Sequence, residues 1–291
     1  YFYLYFAIRD QLHPSIAFQK YLNLQNDIDE YNKEILLGYG VYGNPGMSKL
    51  IQLANRKNFN IIAKYELGEC YYYGRFNANG IPDFSKALSC YEAILDSVSS
   101  HPLALWTISY MMFSYRQKGS ELEHAYIEKF EKEKQSEGAW YDKMVHYVQN
   151  AYILGSAAAA NLIGKMKEGK GGNIPHKYLE TLPQKPAIDF YKEAAENGYS
   201  YAMNNLYDIL IKEAENEGSS EKARTAIQYL QDSAATYEPW ACNKLARLYL
   251  FGYSLNNNDI IYKDEDEAYK LFKQAEIMAE RKNFFFPILN L

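Results

Sequence analysis

The apolar residues of this chain recur at helical spacing, in short amphipathic runs set about forty residues apart. Ala63, Leu67 and Tyr71 lie four positions apart and form one stripe if the segment is a helix. The phrase Ala63-x-x-x-Leu67-Gly68-x-x-Tyr71-x-x-Gly74 returns near the other end as Ala241-x-x-x-Leu245-Ala246-x-x-Tyr249-x-x-Gly252. A second helical pattern follows each copy: Lys86-Ala87-x-x-x-Tyr91 after the first, Glu267-Ala268 and Ala275 after the other. The small residues Ala54, Ala93, Ala151, Ala194, Ala234 and Ala275 mark the second helix, with one long interval between Ala93 and Ala151. The first-helix series Asn32, Gly68, Ser109, Gly164, Tyr207 and Ala246 has its long interval in the same place. The pattern predicts an all-α solenoid over residues 1–291, built from about six antiparallel helix pairs with an insertion in the third.

Local chemistry supports each hairpin. Gly68 and its equivalents allow a neighbouring helix to approach closely. Gly74 and Gly252 stand where the first helix must stop. The runs Gly38 to Pro45 and Asn79 to Asp83 have the Gly, Asn and Pro content of inter-helix loops, and Asp83 is placed to cap the second helix. An extra helix is expected near Glu121 to Gln135, inside an insertion over 117–140, because Leu122, Tyr126 and Phe130 recur at helical spacing. Glycines and prolines from Lys170 to Pro186 predict a long irregular loop.

These residues carry a resemblance. Leu67-Gly68-x-x-Tyr71-x-x-Gly74, the loop Asn79-Gly80-Ile81-Pro82-Asp83 with Lys86-Ala87, and the run Ala187 to Gly198 resemble Sel-1-like repeats, longer-looped relatives of the tetratricopeptide repeat. Gly38-Tyr39-Gly40-Val41 is similar to that family's Gly-x-Gly-Val loop. The likeness runs from about Asn32 to Glu276 and weakens in the third and fifth hairpins, where Ser109 and Tyr207 replace the glycine. The resemblance implies a right-handed superhelical solenoid used for protein–protein contacts. It implies no particular partner.

Charge and composition narrow the function. A net charge of −5 and no basic run with interleaved aromatics argue against nucleic-acid binding by this segment. The apolar start Tyr1 to Ile8 ends at Arg9 and Asp10, too soon to cross a bilayer and without the basic flank of a signal peptide. Residues 1–25 are expected to be a divergent N-terminal end or the remnant of a longer chain, and 277–291 a capping segment. Cys70, Cys90 and Cys242 make an odd count with no Asn-x-Ser/Thr acceptor, which favours buried, reduced thiols over a Cys70–Cys90 disulfide. A cytoplasmic location follows, with periplasmic or secretory-lumen placement as the alternative.

No constellation for catalysis stands out. His13, His101, His124, His146 and His176 are scattered, and each is expected on the surface or in a loop. Gly164-x-x-x-x-Gly169-Lys170-Gly171 fails as a phosphate loop: it ends in Gly rather than Ser or Thr and follows a helical alanine run. A non-enzyme with no cofactor and no metal is expected.

The expected function is peptide or protein binding on the concave, first-helix face. Three positions before the Gly68 equivalent stand Asp29, Tyr65, Trp106, Asn161, Asn204 and Asn243. Asn is a poor helix-interior residue, and its amide can grip the backbone of an extended peptide. Solvation, or a bond to a neighbouring helix, is the competing explanation. The same register adds Tyr72, Tyr110, Phe113, Tyr201, Trp240 and Arg247 to the predicted peptide-binding face. Lys165, Asp208 and Arg247, one position after the small residue, are mixed in sign, so a single-charge clamp is not expected. Two alternatives remain: a peptide-sensing domain of a larger regulator, and a passive adaptor in a multiprotein complex.

Overall fold

The computed structural model describes residues 51–52, 54–57, 61–74, 81–114, 137–170 and 174–282. Among these, the elements are α1 (Ile61–Tyr72), α2 (Phe84–Ser97), α3 (Pro102–Ser114), α4 (Glu137–Ile153), α5 (Ala157–Lys167), α6 (His176–Leu179), α7 (Ala187–Glu196), α8 (Ser200–Glu217), α9 (Ser220–Ala235), α10 (Pro239–Phe251), β1 (Tyr253–Leu255), β2 (Asn258–Ile261) and α11 (Glu265–Lys282). Helices neighbouring in sequence pack as pairs: α1 on α2, α3 on α4, α8 on α9 and α10 on α11. The fold is an all-α solenoid of helix pairs, as the periodicity predicts. Among the described residues, those up to Ala187 form one compact unit and those from Ile188 a second.

In the first unit α2 also contacts α3, and α4 contacts α5, so each pair is buttressed by the next. The small-residue position governs how closely the helices meet. A Cβ on Gly68 would lie 2.7 Å from Tyr91 Cε1 and 2.9 Å from Cζ. Tyr91 is fully buried, and its hydroxyl donates to Glu69 Oε1 at 2.9 Å. Burial, reinforced by Glu69, pushes that hydroxyl's pKa far up, so the ring stays a neutral donor locked in place. In the third hairpin Ser109 fills the same position, buried, and its hydroxyl donates to the Met144 carbonyl at 2.8 Å. The hydroxyl thus finds its partner on the facing helix.

The loops repeat a second device. Asp83 and Asp264 occupy equivalent positions before α2 and α11. Each donates its backbone N–H to the carbonyl of a tyrosine in the last turn of the first helix, Tyr71 and Tyr249, at 2.8 Å in both. Each also caps the second helix, accepting from Lys86 N at 3.0 Å and Glu267 N at 2.9 Å. One aspartate therefore closes the loop and starts the helix.

Several details depart from the sequence reading. The segment from Lys170 to Pro186 contains a short helix, α6, which packs on α4. The loop of the last hairpin forms an antiparallel β-hairpin turning at Asn256 and Asn257, both at positive φ (51° and 62°). Such a turn favours Asn. Asn256 Nδ2 donates to the Gly218 carbonyl at 2.7 Å, pinning the hairpin to the α8–α9 turn. Residues 137–140 are the first turn of α4, while the helix expected at 121–135 and the N-terminal 1–25 lie outside the described residues. Cys70, Cys90 and Cys242 are buried thiols, none of them in a disulfide.

His101 stands in the loop between α2 and α3, one of the two places expected for a histidine, but it is not on the surface. It is 2% exposed, and its Nδ1 accepts the Ala104 N–H at 3.2 Å at the start of α3. Such a cap saves an otherwise orphaned helix donor, which scattered spacing could not reveal.

Two predictions follow from this packing. By helix propensity alone, Gly68→Ala would stabilise the chain by about 1 kcal/mol. The contact with Tyr91 reverses the sign: overpacking costs about 1–3 kcal/mol, and calorimetry should show a lower melting temperature. A higher one would show that the Tyr91 ring yields freely. Burial lowers the His101 pKa from 6.5 to about 4. Between those values the unfolded chain binds a proton that the native chain refuses, so stability falls as pH drops through that window. The loss approaches roughly 3 kcal/mol near its lower end. Urea titrations across the window should show that slope, and His101→Asn, which keeps a capping acceptor, should flatten it.

Candidate functional site

The second unit presents one first-helix face on α8 and α10. The turn entering α10 sets its geometry. Tyr237 adopts φ 64°, where the equivalent turns before α5 and α8 use Gly155 and Gly198. A non-glycine residue there costs about 1–2 kcal/mol. The next residue, Glu238, is then delivered as the N-cap of α10. It is 4% exposed, and its Oε2 accepts two bonds, from Ala241 N at 2.7 Å and from Asn204 Nδ2 at 3.0 Å. A single carboxylate oxygen therefore starts α10 and ties it to α8.

One turn further along, Lys244 pairs with Asp208 of α8. Its ammonium also lies 3.5 Å from the Trp240 ring centre and 5.0 Å from that of Tyr207. This cation–aromatic contact covers part of the Trp240 ring while leaving the residue 48% exposed. Burial, then Asp208 and Glu215, push the Tyr207 hydroxyl up to about 12, so Tyr207 is neutral at physiological pH.

The predicted face divides into three groups. Trp240, Asn243 and Arg247 are exposed along α10, with Phe251 beyond them, and Tyr201 is exposed on α8. Asn204 is 5% exposed and commits its amide nitrogen to Glu238, while its Oδ1 is buried without a hydrogen bond. In the first unit Asn161 is buried on α5. Tyr65 and Phe113 are in the core, the Tyr65 hydroxyl 3.0 Å from Thr107 Oγ1. Trp106 and Tyr110 are half-buried and stacked at 5.6 Å; Tyr72 is half-buried against Tyr73 and Phe84. The three asparagines are thus two buried amides and one exposed one.

The sequence reading missed two features. Glu238 precedes its helix and lies outside the register used to pick face residues; its position three before Ala241 is the only sequence signal. The first unit also holds an open cleft of about 610 Å³ between α4 and the α6 segment, lined by residues including Asp142, His146, Tyr147, Gln149 and Tyr178. Its formation depends on α6, which proline-rich sequence gave no reason to expect. Among the described residues, no group of three or more His, Cys, Asp or Glu side chains is placed to hold a metal, and no helix is long and apolar enough to cross a membrane.

Comparison with known proteins agrees with this geometry. The Sel1 repeat family model matches residues 61–94, 157–199 and 241–276, which are the second, fourth and sixth hairpins. The intervening pairs are those in which Ser109 and Tyr207 stand in the glycine position. A Sel1 repeat protein from Oxalobacter formigenes shares the fold at TM-score 0.51 and 17% identity, over 84% of each chain. Immunity protein Pa5087 from Pseudomonas aeruginosa shares it at 0.54 and 15%, over 90% of this chain and 91% of that one. Pseudomonas aeruginosa 5086 does so at 0.53 and 15%, over 90% of each. These identities speak to the fold alone. Among curated proteins, no relative matches the chain. The chain carries three Sel1 repeats within an α-solenoid of helix pairs, and such repeats suggest a protein–protein interaction scaffold.

The Asn204–Glu238 contact should be measurable. Asn204→Ala gains helix propensity but loses a buried bond to a carboxylate, so a net loss of about 1 kcal/mol is expected by urea unfolding. Glu238→Ala also removes the cap and should cost about 2 kcal/mol. The double variant should cost less than the sum of the two. Strict additivity would show that the two side chains are uncoupled.

Proposed function

We propose that the chain is a non-catalytic binding module whose α8–α10 face takes an extended segment of a partner protein. The observation that carries this reading is the exposed row Trp240, Asn243, Arg247 and Phe251 on a helix whose other sides pack on α9 and α11. A large aromatic, a guanidinium and a free amide in one row suit a peptide anchored by apolar side chains and held by its backbone. Trp240 is already steadied by Lys244, so less rotamer entropy is lost when a partner covers it. Asn243 is the amide available to a peptide backbone, because Asn204 has given its nitrogen to Glu238. Catalysis has no support in this row, which lacks any paired acid, base or nucleophile.

The test uses Trp240 as its own reporter. In a chain carrying Trp106→Phe and Trp140→Phe, Trp240 is the sole tryptophan. A partner peptide should shift or quench its emission. Trp240→Ala should weaken binding by about 2 kcal/mol or more, with Asn243→Ala costing about 1 kcal/mol and neither changing the melting temperature appreciably. Binding that leaves Trp240 emission and both variants unaffected would place the partner elsewhere.

A further inference from the structure

We infer that the segment taken by the α8–α10 face is acidic, its carboxylates read by Lys212 and Arg247; this rests on the docking role proposed above. The stripe of charged residues reads as mixed in sign because it contains Asp208. The structure removes that carboxylate from play, since Asp208 is paired with Lys244. Glu238, the other acid beside the face, is buried and already accepts from Asn204 and Ala241.

Three further acids stand at the end of α8, and each has a partner within the second unit. Glu213 and Glu217 both hold Lys222 of α9, at 3.1 and 2.8 Å. Glu215 accepts from the Tyr253 hydroxyl of the β-hairpin at 3.2 Å. Lys212 follows Asp208 by four residues and Arg247 follows Lys244 by three, so both stand one turn beyond the bridging pair, each on its own helix. Both are exposed, and among the described residues neither has a hydrogen bond or ion pair. In a protein of net charge −5, two unneutralised cations beside Trp240 and Phe251 form a locally positive, partly aromatic surface. Its electrostatic complement is a peptide that intersperses Asp or Glu with apolar anchors. A basic segment would meet like charge there, and a neutral one would leave both cations unused.

The test is a selection of random dodecapeptides displayed on phage against the full chain, with a synthetic copy of the most enriched peptide as the probe. The expected outcome is enrichment of Asp and Glu over Lys and Arg, and an affinity that falls with added salt. The double variant Lys212→Glu with Arg247→Glu should lose the acidic enrichment and weaken the probe about tenfold. Should that variant fail to give the parent circular dichroism melt, Lys212→Gln with Arg247→Gln serves with the same expected direction. Selected peptides without acidic bias, bound in a manner abolished by Trp240→Ala, overturn the acidic inference and leave the docking role standing. Peptides indifferent to Trp240→Ala, or no enrichment of any peptide, overturn both.

Discussion

The close approach of paired helices at one small-residue position is the constraint from which the rest of this architecture follows. Gly68 lets the Tyr91 ring lie where a Cβ would be, and Tyr91 then reaches Glu69 with its buried hydroxyl. Where the glycine is replaced, the chain compensates: Ser109 spends its hydroxyl on the Met144 carbonyl, and Ala246 is wholly buried. Buried helices this close transmit the position of one to the next. The first helix of each pair thereby presents its opposite side at a set height, which is the side a partner would meet.

The face on α8 and α10 depends on a second, more local set of contacts. The positive φ of Tyr237 aims Glu238 into the gap between the helices, and Glu238 joins the start of α10 to Asn204. Lys244 repeats the joint one turn on, bridging to Asp208 while covering part of Trp240. Both bridges use side chains that sequence register alone would offer to a ligand. Their use inside the protein is what leaves Trp240, Asn243, Lys212 and Arg247 as the groups facing outward.

Much of the fold was legible in the sequence because its determinants are periodic. Helical spacing, the Gly68 series and the stop glycines Gly74 and Gly252 predict pairs that the structure contains, and Asp83 caps α2 as its position implies. Features set by a single tertiary contact were not legible. The β-hairpin owes its place to Asn256 on the Gly218 carbonyl, and His101 owes its burial to the start of α3. For the face, register picks an exposed side of α10. It does not separate Asn204, consumed by Glu238, from Asn243, exposed one repeat later, because that difference lies in a residue outside the repeat. Tyr65 illustrates the same limit of pattern reasoning: its offset matches that of the asparagines, yet its hydroxyl lies against Thr107 in the core.

The central claim is that partners engage the first-helix face of the second unit rather than the α4–α6 cleft of the first. Hydrogen–deuterium exchange of the full chain, with and without a selected peptide, tests it most directly. Binding at the face should slow exchange in peptides covering α10 and the start of α8 and leave α4 unchanged. Protection confined to α4 and the α6 segment, with α10 exchanging as in the free chain, would contradict the account.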